Sequence, residues 1–80
     1  MRSSLAETRN PVLTLPAMRK LQALPADQRG LLVELLNELS QDAGSRAQKS
    51  WAKSKGPMAA YWKAVEVYSK HIRAAVRRGA

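Results

Sequence analysis

The sequence predicts an all-α fold: a short N-terminal helix packed on a long antiparallel helical hairpin. Three observations lead there. Apolar residues recur at three- and four-residue spacing through two stretches, Leu32–Ala43 and Met58–Val76. Between them, Lys55-Gly56-Pro57 reads as a turn, glycine ending one helix and proline opening the next. The chain has 80 residues and no cysteine, so it is one domain with a small interior and no disulfide framework.

The elements follow in chain order. Residues 1–14 are polar, lack periodicity and contain Asn10-Pro11 as a turn signal, which predicts a flexible N-terminal arm. Val12, Leu13 and Leu15 are suited to pack down as an extended strap. A single helical domain is expected over 15–80. Its first helix runs from Pro16 to Leu24, with Leu15, Met18, Leu21 and Leu24 at helical spacing. That length is unstable alone in water, so its leucines must lie on something. The second helix spans about 25–54. Pro25 takes its first turn, Asp27 suits the positive end of the dipole, and Leu32, Leu35, Leu36, Leu39 and Ala43 form its stripe.

Gly44 is ambiguous, since a mid-helix glycine costs about 1 kcal/mol relative to alanine. Continuation with a kink is favoured over a break capped by Ser45. The stripe then goes on with small residues, Ala47, Ser50 and Ser54. The third helix, about 57–78, carries Met58, Tyr61, Trp62, Val65, Tyr68, Ile72 and Val76 on one face. A mainly basic stripe, Lys63, Glu66, Lys70, Arg73 and Arg77, runs down another. Antiparallel pairing places small residues near 47–54 against bulky ones near 58–68, and the leucines near 32–39 against Ile72 and Val76. Gly79 closes the chain after Arg77-Arg78.

Charge is distributed unevenly. The formal net charge is +8. Residues 1–44 carry five basic and five acidic side chains, and residues 45–80 carry nine basic ones against Glu66 alone. Such asymmetry favours an anionic partner, whether nucleic acid, an acidic protein face or anionic lipid, although charge also serves solubility. The longest apolar run, Leu31-Leu32-Val33, is far short of a membrane span, and no secretory signal is present, so a cytoplasmic protein is expected.

Catalysis finds no inventory. There is one histidine, no cysteine and no glycine-rich phosphate loop. His71 reads as a solvated surface residue beside Lys70 and Arg73. Glu34, Glu38 and Asp42 form a row, but an oxygen cage needs ligands converging from several directions, so neither metal nor cofactor is expected. That row is placed to pair with Lys70, Arg73 and Arg77 across the hairpin. The Leu-Pro-Ala-Asp-Gln-Arg opening suggests a helix-turn-helix, yet no separate recognition helix follows at the expected distance.

The candidate contacts with nucleic acid or another anionic partner are Arg46, Lys49, Lys53, Lys55, Lys63, Arg73, Arg77 and Arg78. Those near the turn lie beside Trp51 and Trp62. Trp62 is assigned to the core, and Trp51, off the stripe, to a partner. For a protein partner the candidates are Trp51, Met18 and Leu21.

The stretch Lys55-Gly56-Pro57-Met58-Ala59-Ala60-Tyr61-Trp62-Lys63-Ala64-Val65, following a leucine-rich helix opened by Leu24-Pro25, resembles small accessory proteins from the early regions of Mu-like transposable phages. The resemblance implies a non-enzymatic factor made soon after infection that binds host machinery or DNA in the host cytoplasm. It assigns no functional residues. Three functions therefore compete: nucleic-acid association through the basic second half, modulation of a host protein through an apolar and aromatic surface, and a membrane-surface helix. The last is disfavoured because it needs the third helix free. Half-covered leucine and aromatic surface also favours self-association as a homodimer.

Overall fold

The computed structural model of the chain describes residues 10–79. A 3₁₀ turn, Pro11–Thr14, is followed by α1 (Pro16–Gln22), α2 (Ala26–Ala52) and α3 (Gly56–Arg78). The chain is all-α, and α2 and α3 form the expected antiparallel hairpin. The body measures 42 × 30 × 17 Å. Its long dimension is set by α2, whose 27 residues span about 40 Å at 1.5 Å each.

The seam between the long helices is a heptad. In α2 the buried or half-buried positions Arg29, Val33, Leu36, Ser40, Ala43, Ala47 and Ser50 alternate spacings of four and three. In α3 the matching positions are Ala59, Trp62, Glu66, Ser69, Arg73 and Val76. This 3.5-residue period is that of helices supercoiled around a common seam. The register is fixed by Arg73 Nη1 donating to Asn37 Oδ1 at 2.6 Å and by Glu66 lying against Gly44.

This seam is rotated from the one expected. Leu31, Leu35 and Leu39 are exposed on α2, as are Met58, Tyr61 and Tyr68 on α3. Small residues dominate the seam on both helices: Ser40, Ala43 and Ala47 are buried on one and Ala59 and Ser69 on the other. Of the bulky residues expected against them, Met58, Tyr61, Trp62 and Tyr68, Trp62 is the one half-buried there. Ser40 and Ser69 satisfy their hydroxyls within their own helices, donating to Asn37 O and Val65 O. The expected contact of the leucine region with the end of α3 does form. Leu32, Val33, Leu36 and Ile72 pack on a core of Met18, Ala75 and Val76, joined by Leu13 and Leu21.

Gly44 neither ends nor breaks α2, which runs unbroken from Ala26 to Ala52. The stop falls earlier than the sequence suggests. Ser54 adopts a left-handed conformation, φ 58°. Ser54 N–H donates to Trp51 O at 3.0 Å and Lys55 N–H to Ser50 O at 2.8 Å. These are the paired bonds of a Schellman cap, with serine where glycine is usual. Gly56 is consequently the first residue of α3 and not the terminator of α2.

The arm expected over 1–14 falls partly outside the described residues, up to Arg9. From Asn10 onward it is ordered on α3. Asn10 is buried, accepts from Val12 N–H and donates through Nδ2 to Tyr68 O. The first helix ends at Gln22, short of Leu24. Met18 and Leu21, expected to meet a partner, are used in the core, Met18 being only 3% exposed. Side chains also close the end of α3. Gln22 Nε2 donates to Ala75 O, and Arg29 Nη1 to Val76 O and Arg77 O. Ala75 O also accepts from Gly79 N–H, the last backbone bond of the helix, whereas Val76 O and Arg77 O lie beyond it and are served by Arg29. Gln22 and Arg29 thus tie α1 and α2 to the end of α3.

Candidate nucleic-acid interface

The heptad gives the α2–α3 layer two unlike faces. Positions one residue before the seam, Leu32 and Leu39 on α2 with Met58, Val65 and Ile72 on α3, lie on one side. The 3₁₀ turn and α1 cover one end of it, where Leu32 and Ile72 meet Met18. Positions one residue after the seam, Asn37, Gly44 and Trp51 with Lys63, Lys70 and Arg77, lie on the other.

On this second face, near the turn, the helices leave a groove of about 740 Å³. Ala47 and Ala59 are buried at its base, and Gly44 and Gly56 are half-buried beside them. Trp51 forms one wall and is 72% exposed, more than any other large apolar side chain described. Gln41 and Gln48 line the α2 side, and Lys63 and Glu66 the α3 side.

Lys63, Lys70 and Arg77 continue from the groove along α3 at seven-residue intervals, about 10 Å apart. Glu66 lies between the first two. Lys63 Nζ is 3.1 Å from its Oε1 and Lys70 Nζ 3.3 Å from its Oε2. Hydrogen bonding from Lys63 first, then from Lys70, holds the Glu66 carboxyl below its ordinary value. The three side chains together keep one net positive charge. Lys53 and Lys55 sit in the turn between Ala52 and Gly56, which line the groove, but do not line it themselves; their backbone is fixed by the cap on α2.

The remaining basic candidates go elsewhere. Arg46 and Lys49 fall on the opposite side of α2. Arg46 is paired with Asp42 at 3.0 Å, and its guanidinium lies 5.2 Å from the Trp62 ring centroid. Arg73 is half-buried in the seam on Asn37. Arg78 lines a cleft of about 520 Å³ with Arg19, Leu13 and Met18, between α1 and the end of α3. The expected pairing of Glu34, Glu38 and Asp42 with Lys70, Arg73 and Arg77 does not occur among the described residues. Asp42 pairs within its own helix, and Lys70 turns to Glu66.

Two aromatic assignments also change. Trp62 is half-buried, covered by Arg46 and meeting Tyr61 edge-on at 5.1 Å, rather than deep in the core. His71 is half-buried, and its Nδ1 lacks a hydrogen-bond partner among the described residues. No group of three or more potential metal-ligating side chains occurs among the described residues, and no helix there is long and apolar enough to cross a membrane.

Against known protein families, curated proteins and solved structures, the chain matches none.

Lys70, Gln41 and Gln48 are the site residues that sequence reasoning did not select. The signal for Lys70 was its seven-residue spacing from Lys63 and Arg77. The glutamines carried none until the seam's true face was known.

Proposed function

We propose that the protein is a non-enzymatic nucleic-acid-associated protein that lays a phosphate backbone along the groove face. One observation carries this reading. The Lys63–Lys70–Arg77 row shares a face with the exposed indole of Trp51, Lys55 precedes Gly56 of the groove in the turn, and the one acid in the row, Glu66, is already held by two ammonium groups. Cations aligned along a helix neutralise successive phosphates, and an accessible aromatic adds a surface on which bases stack. The test is oligonucleotide titration over a range of salt. Lys55→Ala and Arg77→Ala should each reduce the salt slope by about one. Lys49→Ala, on the other face, should leave it unchanged. Equal effects from all three would contradict the assignment of the face, and no binding at low salt would remove the reading.

A second reading rests on the opposite face. Leu31 and Leu35 are 62% and 61% exposed, one turn apart, with Leu39, Met58 and Tyr61 also open. A modulator of a host protein, as the resemblance to early proteins of Mu-like phages implies, would dock through this surface. Specific capture of one host protein after nuclease treatment, lost in Leu35→Glu and kept in Trp51→Ala, would favour it.

A further inference from the structure

Taking the groove face as the nucleic-acid interface, we propose that the groove beside Trp51 seats an unpaired base, so that the protein prefers single-stranded DNA or RNA to duplex. The groove is concave, and its volume of about 740 Å³ lies in the range of small-molecule sites. Its base around Ala47, Ala59 and Gly56 carries no large side chain, which leaves room for a flat ring beside Trp51, while the Glu66 carboxylate covers the far end at Gly44. Trp51 stands at the edge with most of its indole in water.

The rim then narrows the class of occupant. Gln41 and Gln48 lie seven residues apart on the same side of α2, and each amide presents both donors and an acceptor. A nucleobase has a π-face for the indole and a polar edge for such amides. It also arrives attached to a phosphate, which Lys63 in the groove wall complements in charge. An apolar peptide side chain uses the indole but leaves the amides and cations unanswered. An acidic peptide uses the cations but leaves the indole bare.

Duplex geometry is what the groove rejects. In a double helix the base faces are stacked and the pairing edges are occupied, so neither reaches a side chain set into a groove. An unpaired strand presents both. The lysine row can still hold a duplex through its phosphates, and the expected difference between the two forms therefore resides in Trp51 and the groove.

The experiment compares short oligothymidylate and oligouridylate strands with a hairpin duplex, using anisotropy for affinity and tryptophan emission for stacking. Single strands should quench emission and bind at least about tenfold tighter than duplex. Trp51→Ala should weaken single-strand binding by about tenfold or more and leave duplex binding alone. Ala60→Leu, which fills the groove from an exposed position, should act in the same direction, and Trp51→Phe should retain most of the affinity. Unchanged helical circular dichroism keeps these variants interpretable. Binding of either single strand supports the proposal, and their ratio assigns the sugar. Duplex binding as tight as single-strand binding would overturn it, as would silent Trp51→Ala and Ala60→Leu variants or equal quenching by polyglutamate. In each of those cases salt-dependent nucleic-acid binding itself can survive. Absence of binding to every nucleic acid would instead remove the underlying reading.

Discussion

At Gly44 the absence of a side chain admits the Glu66 carboxylate against α2. A Cβ there would lie 2.8 Å from Glu66 Oε2 and 3.0 Å from its carboxyl carbon. Helix propensity alone makes Gly44→Ala stabilising by about 1 kcal/mol. Here the methyl displaces Glu66 from its two lysines, so the gain should be smaller in the native sequence than in a Glu66→Ala background. Chemical denaturation of the four proteins of that cycle measures the difference, and equal gains would contradict the contact. The same carboxylate predicts a pH dependence. Its folded pKa is lowered by Lys63 and Lys70. It therefore contributes stability that is present above the ordinary carboxyl range and lost as pH falls through the folded value. The stability difference between the native protein and Glu66→Gln should shrink as pH falls into that range, and a constant difference would refute the pairing. The sequence marked Gly44 as a problem without its solution, because the solution is a side chain 22 positions away.

Among the elements, the helices and their antiparallel order were legible, while the face that each buries was not. Proline starts and the two amphipathic periods placed α1, α2 and α3 to within a few residues. On α2, however, leucines occupy two adjacent stripes, and hydrophobicity alone picks the wrong one. The buried stripe is poorer in leucine and richer in serine and alanine, because close packing of two long helices favours small residues. Met18→Ala, in the core that α1 forms with the end of α3, should cost about 2–5 kcal/mol. Leu35→Gln, in the stripe the sequence favours, should shift stability by no more than about 0.5 kcal/mol. Urea midpoints decide, and the reverse order would restore the leucine seam. Arg29 is the other unread element contact. It joins the α1–α2 turn to the end of α3 by donating to Leu24 O, Val76 O and Arg77 O. Gly79, at φ 77°, leaves room for its guanidinium. Arg29→Ala should cost about 1.5–3 kcal/mol, the range for hydrogen bonds to a charged group. A neutral result would show that solvent serves those carbonyls as well.

The whole molecule is a plate with two chemistries. One face carries exposed leucines together with Arg46 and Lys49 and is partly covered by α1 and the 3₁₀ turn. The other carries a groove, an exposed indole and a row of cations. The charge asymmetry between the halves of the sequence foretold cations at the turn. It did not foretell that Arg46 and Lys49 would be sorted away from Lys63, Lys70 and Arg77. That sorting follows from the seam, since a rotation of one position exchanges the residues that flank it. The salt dependence of oligonucleotide binding tests this account most directly. Because Glu66 offsets one of the two lysines it pairs, Lys55, Lys63, Lys70 and Arg77 neutralise about three phosphates, and log affinity for a single strand should fall linearly with log salt at a slope of about −2. A slope near zero, or no association at low salt, would contradict it.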